Sequence, residues 1–172
     1  MRILVMGASG SGTTTLGRAL SEELGTAFFD TDDYFWLPTS PPFQQRRHVD
    51  ERRTLLLGDM DQVPDAVVAG SVVGWGSAIE DSFTLIVFLT LAPGIRVGRL
   101  REREMARFGC VDEAFIEWAA QYDEGRLEGR SRPRHEAWLA ERRAPILRID
   151  GDVTVPERLE RVLVALGRTR EH

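Results

Sequence analysis

The sequence predicts an α/β fold, a doubly wound parallel sheet with helices on both faces. Two observations carry this reading. Short apolar runs alternate with segments of helical period along the chain, and the first run passes through a glycine-rich turn directly into a helix. The length of 172 residues suits one domain over 1–172, with a core that removes roughly two-thirds of the unfolded surface from water.

Residues 3–6 (ILVM) form an apolar run that ends in a glycine loop, the pattern of a buried parallel strand. Leu16, Ala19, Leu20 and Leu24 then recur at helical spacing, and Gly25 is the C-cap. A second strand is expected at 27–29, ending in the acidic run Asp30-Thr31-Asp32-Asp33, and the proline-bearing LPTSPPF at 37–43 is loop. A helix covers 49–60, and a third strand at 66–69 leads into GSVVGWG at 70–76. Residues 85–91 are the clearest buried strand, and Pro93 opens a helix running to about 107. Helices at 115–122 and 135–142, a strand at 146–149 and a helix over 155–166 complete the chain. Strand–helix alternation places the loops 7–15, 30–36, 70–76 and 150–152 at the carboxyl ends of the strands, where such sheets bind ligands.

The hydrophobic fraction of 42% and charged fraction of 28% are those of an ordinary globular chain. A net charge of -5 argues against general nucleic-acid binding. Cys110 is the only cysteine, which excludes disulfide frameworks and cysteine zinc sites, and a small buried side chain is expected there. No signal-peptide pattern opens the chain, and no apolar run approaches the roughly 18 residues of a membrane span. A cytoplasmic protein follows, a monomer or homodimer that handles small molecules, with no nucleic-acid or membrane partner. His48, His135 and His172 show no metal or triad spacing and are expected at the surface.

The stretch GASGSGTTTLG carries the chemistry. Gly7 and Gly12 stand at the spacing of the phosphate-binding loop G-x-x-x-x-G-K-[ST], Thr14 fills its hydroxyl position, and Thr13 stands where the lysine belongs. All 22 basic residues are arginine, yet position 13 is not an arginine either. Gly7, Ala8, Ser9, Gly10, Ser11, Gly12, Thr13, Thr14 and Thr15 would form an anion nest of backbone N–H groups at a helix N-terminus, which does not depend on residue 13. What is lost is the mobile ammonium that accompanies a transferring phosphoryl group.

Asp30 and Asp32 point the same way on an extended segment, and two carboxylates facing a phosphate site fit a magnesium shell completed by water and the Thr14 hydroxyl. Asp32 is the first choice for metal and catalysis, because it can also orient or deprotonate an acceptor hydroxyl. A solvated turn with a helix cap is the competing reading. Tyr34, Trp36 and Trp75 offer faces that would stack an acceptor, or else pack in the core. Arg47 and Arg53 would grip an acceptor phosphate, or else sit on a solvated helix face. Arg96, Arg99, Arg103 and Arg107 form one stripe on the helix after Pro93, and GRLEGRSRPRH adds Arg126, Arg130, Arg132 and Arg134. Exposed ion pairs with Glu102, Glu104 and Glu128 are the alternative.

With the loop, FFDTDDYFW at 28–36 and VFLTLAPGIRVGRLREREMARFG at 87–109 in view, the chain resembles the nucleoside-monophosphate-kinase branch of P-loop proteins. That branch includes adenylate kinase, shikimate kinase and topology-modulation proteins. The resemblance implies a P-loop NTPase fold, with five parallel strands in the order 2-3-1-4-5 and a small helical lid at about 108–134. It implies ATP as donor on the loop, Mg2+ at Thr14 and Asp32, and an acceptor subregion at 34–62. Arg99 would join the donor site, and Arg103, Arg130, Arg132 and Arg134 would close over the phosphates, one of the last three replacing the absent ammonium. Asp30, Gly70 and Ser71 join the acceptor side, since shikimate-kinase-like members carry a glycine-rich loop after the third strand. A nucleotide is the leading acceptor and a small hydroxyl compound the next. Thr13 also admits a nucleotide- or anion-binding protein without catalysis.

Overall fold

Ile3, Leu4, Val5 and Met6 are all fully buried, at the centre of β1 (Arg2–Gly7). The computed structural model of the chain describes residues 1–125 and 130–168. β1 is flanked by β3 (Ala66–Ala69) and β4 (Leu85–Thr90), with β2 (Ala27–Asp30) and β5 (Ile146–Asp150) at the edges. Every pair is parallel and the order is β2-β3-β1-β4-β5. Leu4 lies beside Val68 and Ile86, so the register aligns the apolar centres of the three inner strands.

Successive residues of a strand face opposite sides, and that period sorts the core into two layers. Leu4, Met6, Val68, Ile86 and Phe88 meet Leu56 and Met60 of α3 (Val49–Asp61) and Trp138 and Leu139 of α7 (Arg132–Ala140). On the other face Ile3, Val5, Val67 and Val87 meet Leu16 and Leu20 of α1 (Thr13–Leu24) and Leu159, Val162 and Leu163 of α8 (Val155–Ala165). Each such side chain contributes about 1.5–3 kcal/mol through burial. A third cluster joins Leu100 of α5 (Pro93–Phe108) to Ile116 and Ala119 of α6 (Glu113–Ala120).

Several boundaries follow capping residues rather than apolar period. The Asp112 carboxylate accepts the Phe115 N–H at 3.1 Å and the Ser131 hydroxyl accepts the Arg134 N–H at 3.4 Å, so α6 and α7 both start before the expected residues. The acidic run is not extended: it is the short helix α2 (Thr31–Phe35), and α4 (Ser77–Glu80) was not expected at all. Cys110 is exposed, not buried, because it follows the C-cap Gly109 at the solvent end of α5. Arg96 leaves the expected surface stripe. It is fully buried and donates to the carbonyls of Leu91 (3.1 Å), Ser9 (3.3 Å) and Ala119 (3.1 Å) and to the Asp123 carboxylate (2.6 Å). It thereby ties the glycine loop to the end of α6. No helix among the described residues is long and apolar enough to cross a membrane.

Gly70 closes β3 with φ 117°, and a β-carbon there would lie 1.8 Å from the Thr31 hydroxyl oxygen. Both strain and collision oppose any side chain at this position. Gly70→Ala is expected to lower stability by about 3 kcal/mol, read by urea denaturation, with a drop in Tm of roughly 6–12 °C.

Candidate functional site

The carboxyl ends of the strands open onto a cleft of about 1160 Å³. Its floor is the glycine loop. Gly10 (φ 82°) and Gly12 (φ 95°) adopt the left-handed conformation that turns the chain into α1, and the Ser11 N–H donates to the Ala8 carbonyl at 3.1 Å. No side chain caps α1, so its first amides are left for a ligand. Gly7 is packed so closely that a β-carbon would stand 2.6 Å from the Leu89 carbonyl. Ala8 and Ser11 are buried, the Ser9 carbonyl is held by Arg96, and Thr13, Thr14 and Thr15 line the cleft.

Asp30 caps α2 by accepting the Asp32 N–H at 3.0 Å, and its other oxygen accepts the Thr14 hydroxyl at 2.9 Å. The Thr14 pairing expected for Asp32 therefore falls to Asp30, because α2 turns Asp32 away from the strand direction. Asp32 and Asp33 also line the cleft. The Asp32 carboxyl is raised above its ordinary pKa by burial first, with Asp30 and Asp33 adding to the shift and Arg130 and Arg103 opposing it. Asp33 is raised by burial and by Asp30, against the pull of Arg18. Crowded carboxylates of this kind need cations when ionised.

The remaining residues named from sequence divide. Trp36, Arg47, Arg99 and Arg103 line the cleft; Tyr34, Arg53, Gly70, Ser71 and Trp75 do not. The Tyr34 hydroxyl donates to Asp59 at 2.6 Å, and Trp75 is a core residue. Arg53 donates to the Trp75 carbonyl at 3.1 Å and to Asp50 at 2.6 Å, and Arg47 to the Tyr34 carbonyl at 3.1 Å and Glu51 at 2.5 Å. Arg99 pairs with Asp152 at 2.5 Å. Of the arginines expected in a lid, Arg130 lines a small crevice together with Ser9, Trp118 and Tyr122, and its charge opposes the upward pKa shift of Asp32. Arg132 faces Asp123 (3.5 Å) and Glu136 (4.0 Å), and Arg134 lies beside Gly74. Arg126, Glu128 and His172 lie outside the described residues.

Three contributors were not named from sequence. Pro42 and Phe43 line the cleft with Trp36, and the Arg107 guanidinium lies 5.5 Å from the Phe43 ring centre. Arg158 of α8 donates to the Ser11 carbonyl at 2.7 Å. Its signal was an arginine on the apolar face of an amphipathic helix, next to Leu159 and in register with Val162.

His135, expected at the surface, is 1% exposed. Its Nε2 lies 3.3 Å from the Ser71 hydroxyl and its Nδ1 2.7 Å from the Tyr122 hydroxyl. A neutral imidazole donates from one nitrogen and accepts at the other, which suits these two partners. Burial, then Arg130 and Arg134, push its pKa from 6.5 down to about 3. The folded-state value is depressed, so stability present above the unfolded pKa is lost as pH falls toward the folded one. Between those limits the unfolded chain binds a proton that the folded chain does not, a loss of up to about 1.4 kcal/mol per pH unit. Urea denaturation across this window is expected to show that slope, and His135→Gln to remove its share of it.

A family model described as AAA domain matches residues 3–109. The chain is 42% identical to the uncharacterized protein YqaC of Bacillus subtilis, over 94% of each chain. The fold is shared with shikimate kinase from Acinetobacter baumannii in complex with shikimate (TM-score 0.64, 18% identity, 96% of this chain and 93% of that one). It is also shared with deoxyadenosine kinase from M. mycoides with bound dATP (TM-score 0.60, 13% identity, 97% and 99%).

Proposed function

The chain belongs to the AAA domain family and carries the P-loop, nucleoside-monophosphate-kinase-like fold, and from that premise we propose an ATP-dependent phosphotransferase that phosphorylates a hydroxyl of a small acceptor. The observation that carries the reading is the Thr14 hydroxyl joined to Asp30 at 2.9 Å at the mouth of the glycine loop, with Asp32 beside it in the same cleft.

The loop amides and the N-terminal end of α1 bind the donor phosphates. Thr14 and Asp30 would hold Mg2+, which supplies charge neutralisation on the phosphate oxygens. Among the described residues no three His, Cys, Asp or Glu side chains cluster as a metal cage, and magnesium in phosphate chemistry uses one or two protein ligands besides phosphate and water. Asp32 accepts the proton of the acceptor hydroxyl as it attacks the terminal phosphorus in line with the departing ADP oxygen. Arg130 and Arg103 neutralise the charge that spreads over the transferring group. The ring faces of Trp36 and Phe43 form the apolar wall of the acceptor pocket.

A hydroxyl acceptor is favoured over the phosphate of a nucleotide, the first choice from sequence. The charges of Arg47 and Arg53 are already paired with Glu51 and Asp50, and three carboxylates crowd the acceptor side, where an incoming phosphate would be repelled. ADP release from MgATP, measured across sugars, hydroxy acids, nucleosides and nucleoside monophosphates, tests this. Turnover confined to compounds bearing a free hydroxyl is expected; turnover of monophosphates on their phosphate alone contradicts it. Thr13 favours a second reading, nucleotide binding without transfer, which the same panel identifies by binding with no ADP release.

A further inference from the structure

Resting on the phosphotransferase reading, we propose that Arg158 is the fixed phosphate-binding cation of the glycine loop, supplying from α8 the positive charge that position 13 lacks. Arg158 is 2% exposed, yet it lines the same cleft as Thr13 and Thr14. Its Nη1 donates to the Ser11 carbonyl at 2.7 Å and its Nη2 to the Gly151 carbonyl at 3.3 Å. Nη1 also stands 2.9 Å from where a β-carbon on Gly12 would lie, so the guanidinium presses directly on the loop.

The two carbonyls satisfy hydrogen bonds but not charge. Among the described residues no carboxylate comes within 4.0 Å of this guanidinium, and the nearby Asp152 is taken by Arg99 at 2.5 Å. The Arg158 Nε is buried without a partner, and so is the neighbouring Ser11 hydroxyl. A buried guanidinium held only by neutral oxygens is costly unless an anion completes it. An anion in the cleft does so, and a guanidinium has donors to spare for phosphate oxygens. A lysine at position 13 is dispensable in a loop that already holds a cation.

The competing role is that of a prop, in which Arg158 only braces Ser11. Calorimetry with MgADP on the full chain separates the two, with folding of each variant checked by its melting curve. Arg158→Met is expected to weaken binding by roughly 10- to 100-fold, and Thr13→Lys added to it to recover most of that loss. Thr13→Lys alone is expected to gain less than about threefold, since the loop is not short of charge. Unchanged affinity in Arg158→Met, or no recovery in a folded double variant, overturns the proposal. If Arg158→Met does not fold, a gain of about tenfold or more from Thr13→Lys alone overturns it as well. Failure of the unmodified protein to bind MgADP refutes the phosphotransferase reading itself, and this inference with it; binding that ignores position 158 refutes this inference only.

Discussion

Asp32→Asn is expected to lower phosphoryl transfer by about 10²- to 10⁴-fold, the usual worth of a positioned base, while leaving MgADP affinity close to that of the unmodified protein. The carboxyl lines the cleft beside Asp30, but Asp30 alone holds the Thr14 hydroxyl, so removing the Asp32 charge spares the donor site. Its pKa is raised by burial and by its acidic neighbours. The unmodified protein should therefore lose turnover on acidification at a higher pH than an ordinary carboxylate would set, and the variant should lack that limb. Stability moves the other way. A folded-state pKa above the unfolded one means stability that is present at low pH and lost as pH rises through the folded value. At neutral pH the ionised Asp32 is a burden, and Asp32→Asn should melt at the same temperature as the unmodified chain or higher. Loss of activity together with loss of stability would point to a structural role instead.

Arg130→Ala is expected to reduce kcat by about 10³-fold, the scale of a mobile arginine acting on a transferring phosphoryl group. Three arginines follow one another at 130, 132 and 134, and only their surroundings distinguish them. The charge of Arg130 lowers the pKa of Asp32 against burial, and its side chain lines a small crevice with Ser9 of the loop. Arg132 is occupied by Asp123 and Glu136, and Arg134 sits over Gly74. Arg132→Ala should thus change kcat by no more than about threefold, since exposed ion pairs carry little energy. Steady-state kinetics on the two variants decides the ranking, and equal losses would contradict it. On this proposal the two arginines are complementary: Arg158 would give the ground state a fixed charge, and Arg130 would answer the charge that develops during transfer.

Period and punctuation made most of the fold legible. The buried runs at 3–6, 66–69 and 85–90 are short, apolar and bounded by glycine or proline, so the inner strands could hardly be anything else. The acidic run misled because an Asp at a strand end reads equally well as the next extended residue or as the cap of a helix. The Asp30 side chain accepting the Asp32 N–H decides for the cap, and with it which carboxylate meets Thr14. His135 and Arg158 were misplaced or unnamed for another reason. Local patterns register polarity, whereas both residues are buried by partners far away in sequence: Ser71 and Tyr122 for the imidazole, Ser11 for the guanidinium. The lining by Phe43 depends likewise on how the loop after α2 folds back, which no short-range signal records.

Titration of the unmodified protein with MgATP, followed by calorimetry, bears most directly on the claim that a glycine loop without its lysine still grips a nucleotide triphosphate. Saturable one-to-one binding with Kd below about 1 mM is predicted, abolished when inorganic tripolyphosphate fills the loop. A flat titration at millimolar ligand, on protein shown to be folded, would contradict it.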